Sequence, residues 1–134
     1  MMIVTAGILE KDGRVLLAQR NPEDYLGLKW EFPGGKVEEG ESPEACLERE
    51  LAEELGIETR TGHIFDARFA RRPQGDMLIL FYRTKLLSGE PALLDCHAVR
   101  WVLPEELTDF DLAPTDAEIA SELKDILTGG DGNG

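Results

Sequence analysis

The segment from Ser42 to Gly56 limits the fold of this chain more narrowly than any other segment. Ser42 followed by Pro43 predicts a helix start, because a serine hydroxyl caps free backbone amides and proline suits the first helical position. Gly56 predicts the end of the helix. Three leucines recur at four-residue steps between these signals: Leu47, Leu51 and Leu55. Such an apolar stripe has to be buried, so we expect the helix to pack against a sheet.

The side of this helix that faces away from the leucines is acidic. Glu50, Glu53 and Glu54 stand at positions i, i+3 and i+4, so their carboxylates project from one face. Like charges at this spacing destabilise a helix unless a cation neutralises them, and hard divalent cations such as Mg²⁺ and Mn²⁺ prefer oxygen ligands. The residues alone leave two interpretations open, a metal-binding face or a solvated charged face, and the second is the commoner fate of a charge run.

Length and composition predict one folded domain. A chain of 134 residues with 42% hydrophobic residues suits a single core, and we expect the domain to span 1–128 with a disordered tail at 129–134. No apolar run approaches the roughly 20 residues that cross a bilayer, and the first residues lack the pattern of a signal peptide. We therefore expect a cytoplasmic location, with Cys46 and Cys96 reduced and structural.

The net charge restricts the partners of the chain. At −13 at pH 7, the protein repels nucleic-acid backbones, so neither DNA nor RNA polymers are expected as partners. A small nucleotide is also anionic, and an acidic protein that binds one has to bring compensating charge to the site. A divalent cation does this most directly.

Apolar segments on both sides of the helix predict strands. The segments 2–10 and 14–19 flank an Asp-Gly dipeptide that favours a hairpin turn. Three later segments also have the length and pattern of strands: 57–69, 77–86 and 98–103. The stretch 21–36, rich in Gly and Pro, predicts an ordered loop that packs partly on the core.

A last helix completes the predicted fold. Thr115 or Asp116 is expected to cap it, and its apolar side is predicted to consist of Ile119, Leu123, Ile126 and Leu127. This order of elements predicts an α/β/α sandwich of the α+β kind, with a mixed β-sheet between helices.

The residues around the acidic face resemble the signature of a known family. Gly35 is followed after five residues by Glu41, and after seven more by the run Arg49-Glu50-Leu51-Ala52-Glu53-Glu54-Leu55-Gly56-Ile57. Together, Gly35, Glu41 and this run match every specified position of the Nudix box, G-x5-E-x7-R-E-U-x-E-E-x-G-U, in which U is an aliphatic residue. The resemblance covers nearly the whole chain. It implies a Nudix fold and a loop-helix-loop that binds Mg²⁺ or Mn²⁺ and a pyrophosphate group.

The resemblance also implies roles for single residues. Glu50, Glu53 and Glu54 correspond to the metal-ligating glutamates, and Gly34 to a residue whose carbonyl often adds a ligand. Arg49 and Glu41 correspond to a pair that steadies these carboxylates. A plain surface salt bridge would also account for Arg49.

Hydrolysis of a diphosphate bond requires a group that accepts the proton of the attacking water. Glu53 is our first choice for this base, beside Glu50 and Arg49 in the catalytic group. Asp95, six residues before Trp101, is a second acidic candidate. Asp95 is equally compatible with an ordinary turn.

The substrate is suggested by resemblance outside the box. The stretch 30–36 resembles MutT-type members, which hydrolyse nucleoside triphosphates, and the stretches 101–107 and 112–116 resemble bacterial CTP pyrophosphohydrolases and oxidised-dGTP diphosphatases. In that group the residue at Asp116 lies near the nucleobase, although helix capping would explain it equally well. Arg20 and Lys36 are candidates for phosphate contact, with a solvated surface charge as the alternative.

We therefore expect a Mg²⁺-dependent pyrophosphohydrolase that releases monophosphate and pyrophosphate from a small nucleotide, acting as a monomer or homodimer without membrane contact. Three alternatives stay open at this point. The chain could be a Nudix hydrolase of ADP-ribose or a related nucleoside diphosphate derivative, a non-catalytic nucleotide-binding Nudix module, or a globular domain without a metal. The preferred base and sugar, normal or oxidised, and the number of metals are not determined by the sequence.

Overall fold

Two helices and seven strands make up most of residues 1–129, the part of the chain that the computed structural model describes. The strands are β1 (Met2–Lys11), β2 (Arg14–Gln19), β3 (Trp30–Glu31), β4 (Gly34–Lys36), β5 (Glu58–Ala70), β6 (Met77–Ser88) and β7 (Ala98–Val102). The helices are α1 (Pro43–Leu55) and α2 (Pro114–Thr128), with a 3₁₀ helix at Pro104–Asp109. Of the predicted tail only Gly129 is described, and 130–134 lie outside the described residues. The single domain at 1–128 stays a prediction.

The sheet is mixed, and β1 lies at its centre. β1 runs parallel to β6 and antiparallel to β4, while its last residues pair with β2. β2 also pairs with β3 and β7, and β6 pairs with β5, all antiparallel. The predicted hairpin between β1 and β2 is confirmed. Its turn residues Asp12 and Gly13 both have positive φ, 51° and 75°, as a two-residue turn of this kind requires.

Each face of the sheet carries its own apolar core. On one face α1 buries the predicted leucine stripe: Leu47, Leu51 and Leu55. On the other face α2 and the 3₁₀ helix contribute a second set of buried side chains: Leu107, Ile119, Ala120 and Leu123. The predicted sandwich, a mixed sheet between helices, is therefore confirmed. Neither helix is long and apolar enough to cross a membrane within the described part of the chain.

Two expectations about α2 are wrong. Neither Thr115 nor Asp116 caps the helix, because the N-cap residue is Ala113, which makes no side-chain cap bond, and Pro114 opens the first turn. Proline suits that position, since it needs no N–H partner, and Asp116 is left to form a contact outside the helix. Ile126 is 59% exposed, because the buried stripe of α2 is narrower than the predicted one.

The stretch 21–36 is not wholly a loop, since it contains β3 and β4. Residues on both sides of β4 are tied to β1, because the amide of Gly7 donates to the Pro33 carbonyl (2.7 Å) and the amide of Val37 to the Ile3 carbonyl (2.9 Å). Glycine and proline argue against a strand in the sequence. Here the pairing comes from a partner about 30 residues away, beyond the reach of a local pattern.

Candidate active site

The acidic face of α1 is oriented by the caps and the buried side of the helix. The Ser42 hydroxyl accepts the Ala45 amide (3.1 Å), and Gly56 ends the helix in the left-handed conformation, with φ 69°. With the leucines turned into the core, the glutamates face outward. The Glu50 carboxylate is largely covered, with 16% of its side chain exposed, whereas Glu53 is 60% exposed. The face therefore combines an enclosed carboxylate with an accessible one.

Arg49 connects the carboxylates of this face. Its Nε and Nη2 donate to the two oxygens of Glu41 at 2.6 and 3.0 Å, and its Nη1 donates to Glu50 and Glu53, each at 3.2 Å. The two-pronged hydrogen bond from Arg49 lowers the pKa of Glu41 to about 2. Arg49 is thus the centre of a network that fixes two of the three helix glutamates, which a plain surface salt bridge would not do.

Glu54 lies beside Glu50, and it forms no salt bridge with a cation of residues 1–129. Burial raises the pKa of Glu54 to about 9, and the charges of Glu50, Glu31 and Asp95 act in the same direction. Burial and the neighbouring carboxylates thus disfavour the charged form of Glu54. A divalent cation among these oxygens would remove the repulsion, so the residues present fit a metal of that kind.

Two glycines of β4 bring the backbone against this face. A Cβ atom built on Gly35 would lie 2.2 Å from Cδ and 2.5 Å from Oε2 of Glu50, and one built on Gly34 would lie 2.0 Å from the Thr5 carbonyl oxygen. The Lys36 carbonyl accepts Nη2 of Arg49 (3.3 Å). Carbonyls two residues apart in a regular strand point the same way, so the pairing of β4 would turn the Gly34 carbonyl to the same side as that of Lys36.

The oxygen donors of this region do not form a ready-made side-chain cage. Within residues 1–129, no three His, Cys, Asp or Glu side chains are grouped so that they could hold a metal ion. A cation bound at Glu50 and Glu54 would therefore take further ligands from backbone carbonyl, water or substrate phosphate. Retained water and phosphate ligands are usual for Mg²⁺.

A cleft of about 310 Å³ opens beside Gly34 and Gly35. It contains all three residues that the sequence suggested for substrate contact: Arg20, Lys36 and Asp116. Its apolar walls include Val4, Ala6, Phe32, Met77 and Ile79. The cleft and the acidic face of α1 thus meet at the two glycines, so an extended ligand can reach from one to the other.

Asp116 is a buried carboxyl at the floor of this cleft. It is 7% exposed, and its Oδ1 accepts the Phe32 amide at 3.0 Å. Burial raises the pKa of Asp116 to about 8, and the neighbouring charge of Glu31 adds to the effect. A carboxyl that keeps its proton would offer a ligand in the cleft one donor and one acceptor.

The predicted cations differ in how far they are engaged. Nη1 of Arg20 donates to Glu31 (3.0 Å) and its Nε donates to the Tyr25 carbonyl (2.7 Å). Arg20 therefore lines the cleft and also connects two of its other lining residues, Glu31 and Tyr25. Lys36 is exposed at the strand end.

Asp95 lies next to the C-terminal end of α1, in the segment that precedes β7. Its amide donates to the Glu54 carbonyl (3.2 Å), and its exposed carboxylate accepts from Asn21 (3.5 Å). The residue is therefore part of a turn and also a neighbour of Glu54. These contacts are compatible with both interpretations that the sequence left open.

Sequence reasoning missed several residues of the cleft. Glu31 was not singled out, although it pairs with Arg20 and influences the pKa of Asp116. Arg71 and Arg72 line the rim, and the Arg71 guanidinium lies 5.5 Å from the centre of the Phe69 ring. Their positions depend on contacts between distant segments, so the only sequence signal was the pair of arginines in a turn.

The NUDIX domain model matches residues 2–123. The chain belongs to the Nudix family. Two curated relatives of this Nudix protein are a putative 8-oxo-dGTP diphosphatase 2 of Mycobacterium tuberculosis, 40% identical over 95% of this chain and 91% of the relative, and a CTP pyrophosphohydrolase of Escherichia coli, 42% identical over 87% and 86%. The crystal structure of a MutT NUDIX hydrolase from Burkholderia pseudomallei is similar, with a TM-score of 0.81 at 26% identity over 91% of this chain and 96% of that chain.

These relatives define the chemistry in outline. This Nudix protein is a hydrolase that acts on phosphoanhydride bonds, as the diphosphatase and pyrophosphohydrolase among its relatives indicate. Nudix proteins generally depend on a divalent metal, and the relatives act on small nucleotides.

Proposed function

We propose that this Nudix protein is a Mg²⁺-dependent pyrophosphohydrolase that converts a nucleoside triphosphate and water into the nucleoside monophosphate and pyrophosphate. The observation that carries the proposal is the meeting of the cleft with the acidic face at Gly34 and Gly35. A nucleoside held in the cleft would extend its phosphates toward Glu50. The names of the two curated relatives, with dGTP and CTP derivatives as substrates, support the same class.

The size of the cleft favours a compact nucleotide. Ligand pockets commonly have volumes of about 300–1,000 Å³, and the cleft measures about 310 Å³. A single base and its sugar suit this volume better than the adenosine and the second ribose of ADP-ribose. This supports a triphosphate over a nucleoside diphosphate derivative, while the preferred base and its oxidation state depend on experiment.

We assign the metal-binding role to Glu50, Glu53 and Glu54 with the Gly34 carbonyl, and expect Mg²⁺ with Mn²⁺ as a substitute. The bound metal would screen charge on the phosphoryl oxygens and lower the pKa of water. Arg49 would keep Glu50 and Glu53 in position during the reaction.

Three residues of the cleft would bind the nucleotide. Lys36, beside the two glycines, would contact a phosphate as a mobile cation. Arg20 would do so while tied to Glu31. Asp116, with its donor and acceptor, would bind an edge of the base.

We propose Glu53 as the group that accepts the proton of the attacking water, with Asp95 as the second candidate. Glu53 is exposed and bound to Arg49 through one oxygen, which leaves its other oxygen accessible. Glu53→Gln is expected to keep the fold and to lower kcat by about 100-fold or more, because it removes a carboxylate that binds metal or accepts a proton. Steady-state kinetics should be compared with Glu58→Gln, an exposed glutamate on β5 outside the cleft. Normal turnover by Glu53→Gln together with a large loss in Asp95→Asn would transfer the base role to Asp95.

The substrate class is tested by product analysis. Normal, oxidised and methylated nucleoside triphosphates, ADP-ribose and a dinucleoside polyphosphate should be incubated with Mg²⁺ and, in parallel, with chelator. Release of monophosphate and pyrophosphate only with Mg²⁺ is the expected result, and reactions in ¹⁸O-labelled water identify the phosphorus that is attacked. Cleavage of ADP-ribose alone would contradict the proposal, and activity in chelator would contradict the metal dependence.

A further inference from the structure

Thr5 and Cys46 form a buried polar pair beneath the glycines of β4. Thr5 is 1% exposed on β1 and Cys46 is 0% exposed on α1. The Thr5 hydroxyl and the Cys46 sulfur lie 3.4 Å apart. Both groups occupy positions where the sheet and the helix otherwise pack through apolar side chains.

Both members of the pair are directed at one acceptor, the carbonyl oxygen of Gly35. Thr5 Oγ1 donates to it at 3.2 Å, and Cys46 Sγ lies 3.6 Å from it as a second, weaker donor. The carbonyl is therefore held from β1 and from α1 at once. A buried hydroxyl destabilises a core unless it is hydrogen-bonded, and here its bond adds to the pairing of Thr5 with Gly35 across β1 and β4.

Gly35 in turn lies directly against the carboxylate of Glu50. The short distances from a built Cβ, 2.2 Å to Cδ and 2.5 Å to Oε2, mean that this carboxylate rests on the Gly35 backbone. The next carbonyl, that of Lys36, accepts Arg49 Nη2, which also lies 3.9 Å from Cys46 Sγ. A tilt of the Gly35 peptide would therefore displace both Glu50 and the arginine that orients it.

We propose that Thr5 and Cys46 are positioning residues, which hold the Gly35 peptide so that Glu50 keeps the place in which it binds the divalent metal. This inference rests on the proposed function, in which Glu50 is a metal ligand. Thr5 also lines the cleft, although only 1% of it is exposed. In this scheme neither residue touches the metal or the substrate phosphates. Their effect passes through the Gly35 carbonyl, as supporting hydrogen bonds commonly do around metal ligands.

The test compares variants that remove or keep the hydroxyl. Thr5→Val keeps the shape of the side chain without its donor, and Thr5→Ser keeps the donor. Mn²⁺ binding to the nucleotide-free protein, followed by the electron paramagnetic resonance signal of free Mn²⁺, is expected to weaken about tenfold in Thr5→Val. Thr5→Ser is expected to stay within about twofold of the wild type. In kinetics the Mg²⁺ concentration for half-maximal activity should rise in Thr5→Val, while the nucleotide KM at saturating Mg²⁺ changes little.

A matched control comes from another buried threonine. Thr84 is 8% exposed on β6, and its hydroxyl donates to the Tyr82 carbonyl at 2.9 Å, away from β4. Thr84→Val should lower the melting temperature in chelator about as much as Thr5→Val and leave Mn²⁺ affinity unchanged. Because Thr5 and Cys46 act on the same carbonyl, Thr5→Val and Cys46→Ala together should weaken Mn²⁺ binding by less than the product of the two separate effects.

The outcomes separate this inference from the proposed function. Wild-type protein that neither binds Mn²⁺ nor hydrolyses a nucleotide would overturn the proposed function, and the positioning role with it. Normal wild-type behaviour with unchanged Mn²⁺ affinity in Thr5→Val would overturn only the positioning role. Equal losses in Thr5→Val and Thr5→Ser would also overturn it, since the loss would then not depend on the hydroxyl that Thr5→Ser keeps.

Discussion

Gly35 is the residue at which backbone geometry and site chemistry depend on each other most directly. A methyl group there would overlap the Glu50 carboxylate, whose Cδ and Oε2 lie 2.2 and 2.5 Å from the built Cβ. Gly35→Ala is therefore expected to displace Glu50 and lower kcat by about 100-fold, with the fold largely kept because a flexible side chain can move away. Kinetics and circular dichroism measure the two effects.

The neighbouring glycine provides the contrast for this prediction. A Cβ at Gly34 would meet the backbone of β1, 2.0 Å from the Thr5 carbonyl oxygen. Gly34→Ala should therefore lower the melting temperature strongly, since neither strand can yield without loss of pairing. If both alanine variants lost stability and activity to the same extent, the specific contact between Gly35 and Glu50 would not explain the result.

Asp116 is expected to make stability depend on pH. Its folded pKa of about 8 lies above the value near 3.9 of an unfolded aspartate. The contribution of the protonated carboxyl is complete below about pH 4 and is lost as the pH rises toward the folded pKa, because the unfolded chain gives up its proton first. Asp116→Asn removes this dependence while its amide oxygen still accepts the Phe32 amide.

The expected difference can be measured by urea unfolding. As the pH rises from about 5 to about 8.5, the unfolding free energy of Asp116→Asn should increase by at least about 1 kcal/mol relative to that of the wild type. Asp116→Ala, which also lacks the acceptor for the Phe32 amide, should be less stable than Asp116→Asn at every pH. Parallel pH profiles for the wild type and Asp116→Asn would mean that the carboxyl titrates normally.

Single residues were predictable where their partners are close in the sequence. Arg49 meets Glu50 and Glu53 on its own helix and Glu41 eight residues earlier, and the sequence placed all four in one group. The bond from Phe32 to Asp116 spans 84 positions. No local sequence pattern encodes such a contact. From the sequence alone, contact with the nucleobase and capping of α2 were therefore equally well supported roles for Asp116.

At the scale of elements, α1 is the clearest case of local encoding. Its start, end, buried stripe and acidic face all follow from residues within the segment 42–56. Ser42→Ala is expected to cost about 1 kcal/mol of stability because it leaves the Ala45 amide without its cap. Ser42→Asp should retain most of the stability, and urea denaturation measures both variants. A loss in Ser42→Asp as large as that in Ser42→Ala would mean that the hydroxyl does more than cap.

The less predictable elements depend on distant partners. β4 exists because β1 pairs with it, although its own residues are glycines that locally oppose a strand. The predicted cap of α2 is wrong. Thr115 and Asp116 are good capping residues, but the cap residue is Ala113 and Pro114 occupies the first turn. Both elements contribute residues to the lining of the cleft. The general architecture was therefore predictable from periodicity, but the shape of the site was not.

At the scale of the whole molecule, the cleft concentrates positive charge in an acidic protein. The net charge is −13, yet the cleft is lined by four cationic residues: Arg20, Lys36, Arg71 and Arg72. The acidic face of α1 lies next to this cationic lining. An anionic nucleotide is therefore attracted by the cleft but repelled by the carboxylates, unless a divalent cation stands between them.

This arrangement predicts that Glu54→Gln and Mg²⁺ relieve the same repulsion, so that their stabilising effects do not add. Burial raises the pKa of Glu54 to about 9, so at neutral pH folding forces a proton onto a group that is ionised in the unfolded chain. Glu54→Gln should raise the melting temperature in chelator by about 2–4 °C. Mg²⁺ should raise that of the wild type by a similar amount over sodium chloride of equal ionic strength, and should raise that of Glu54→Gln much less. Equal gains from Mg²⁺ and from sodium chloride in the wild type would mean that general screening, rather than a bound cation, relieves the repulsion on α1.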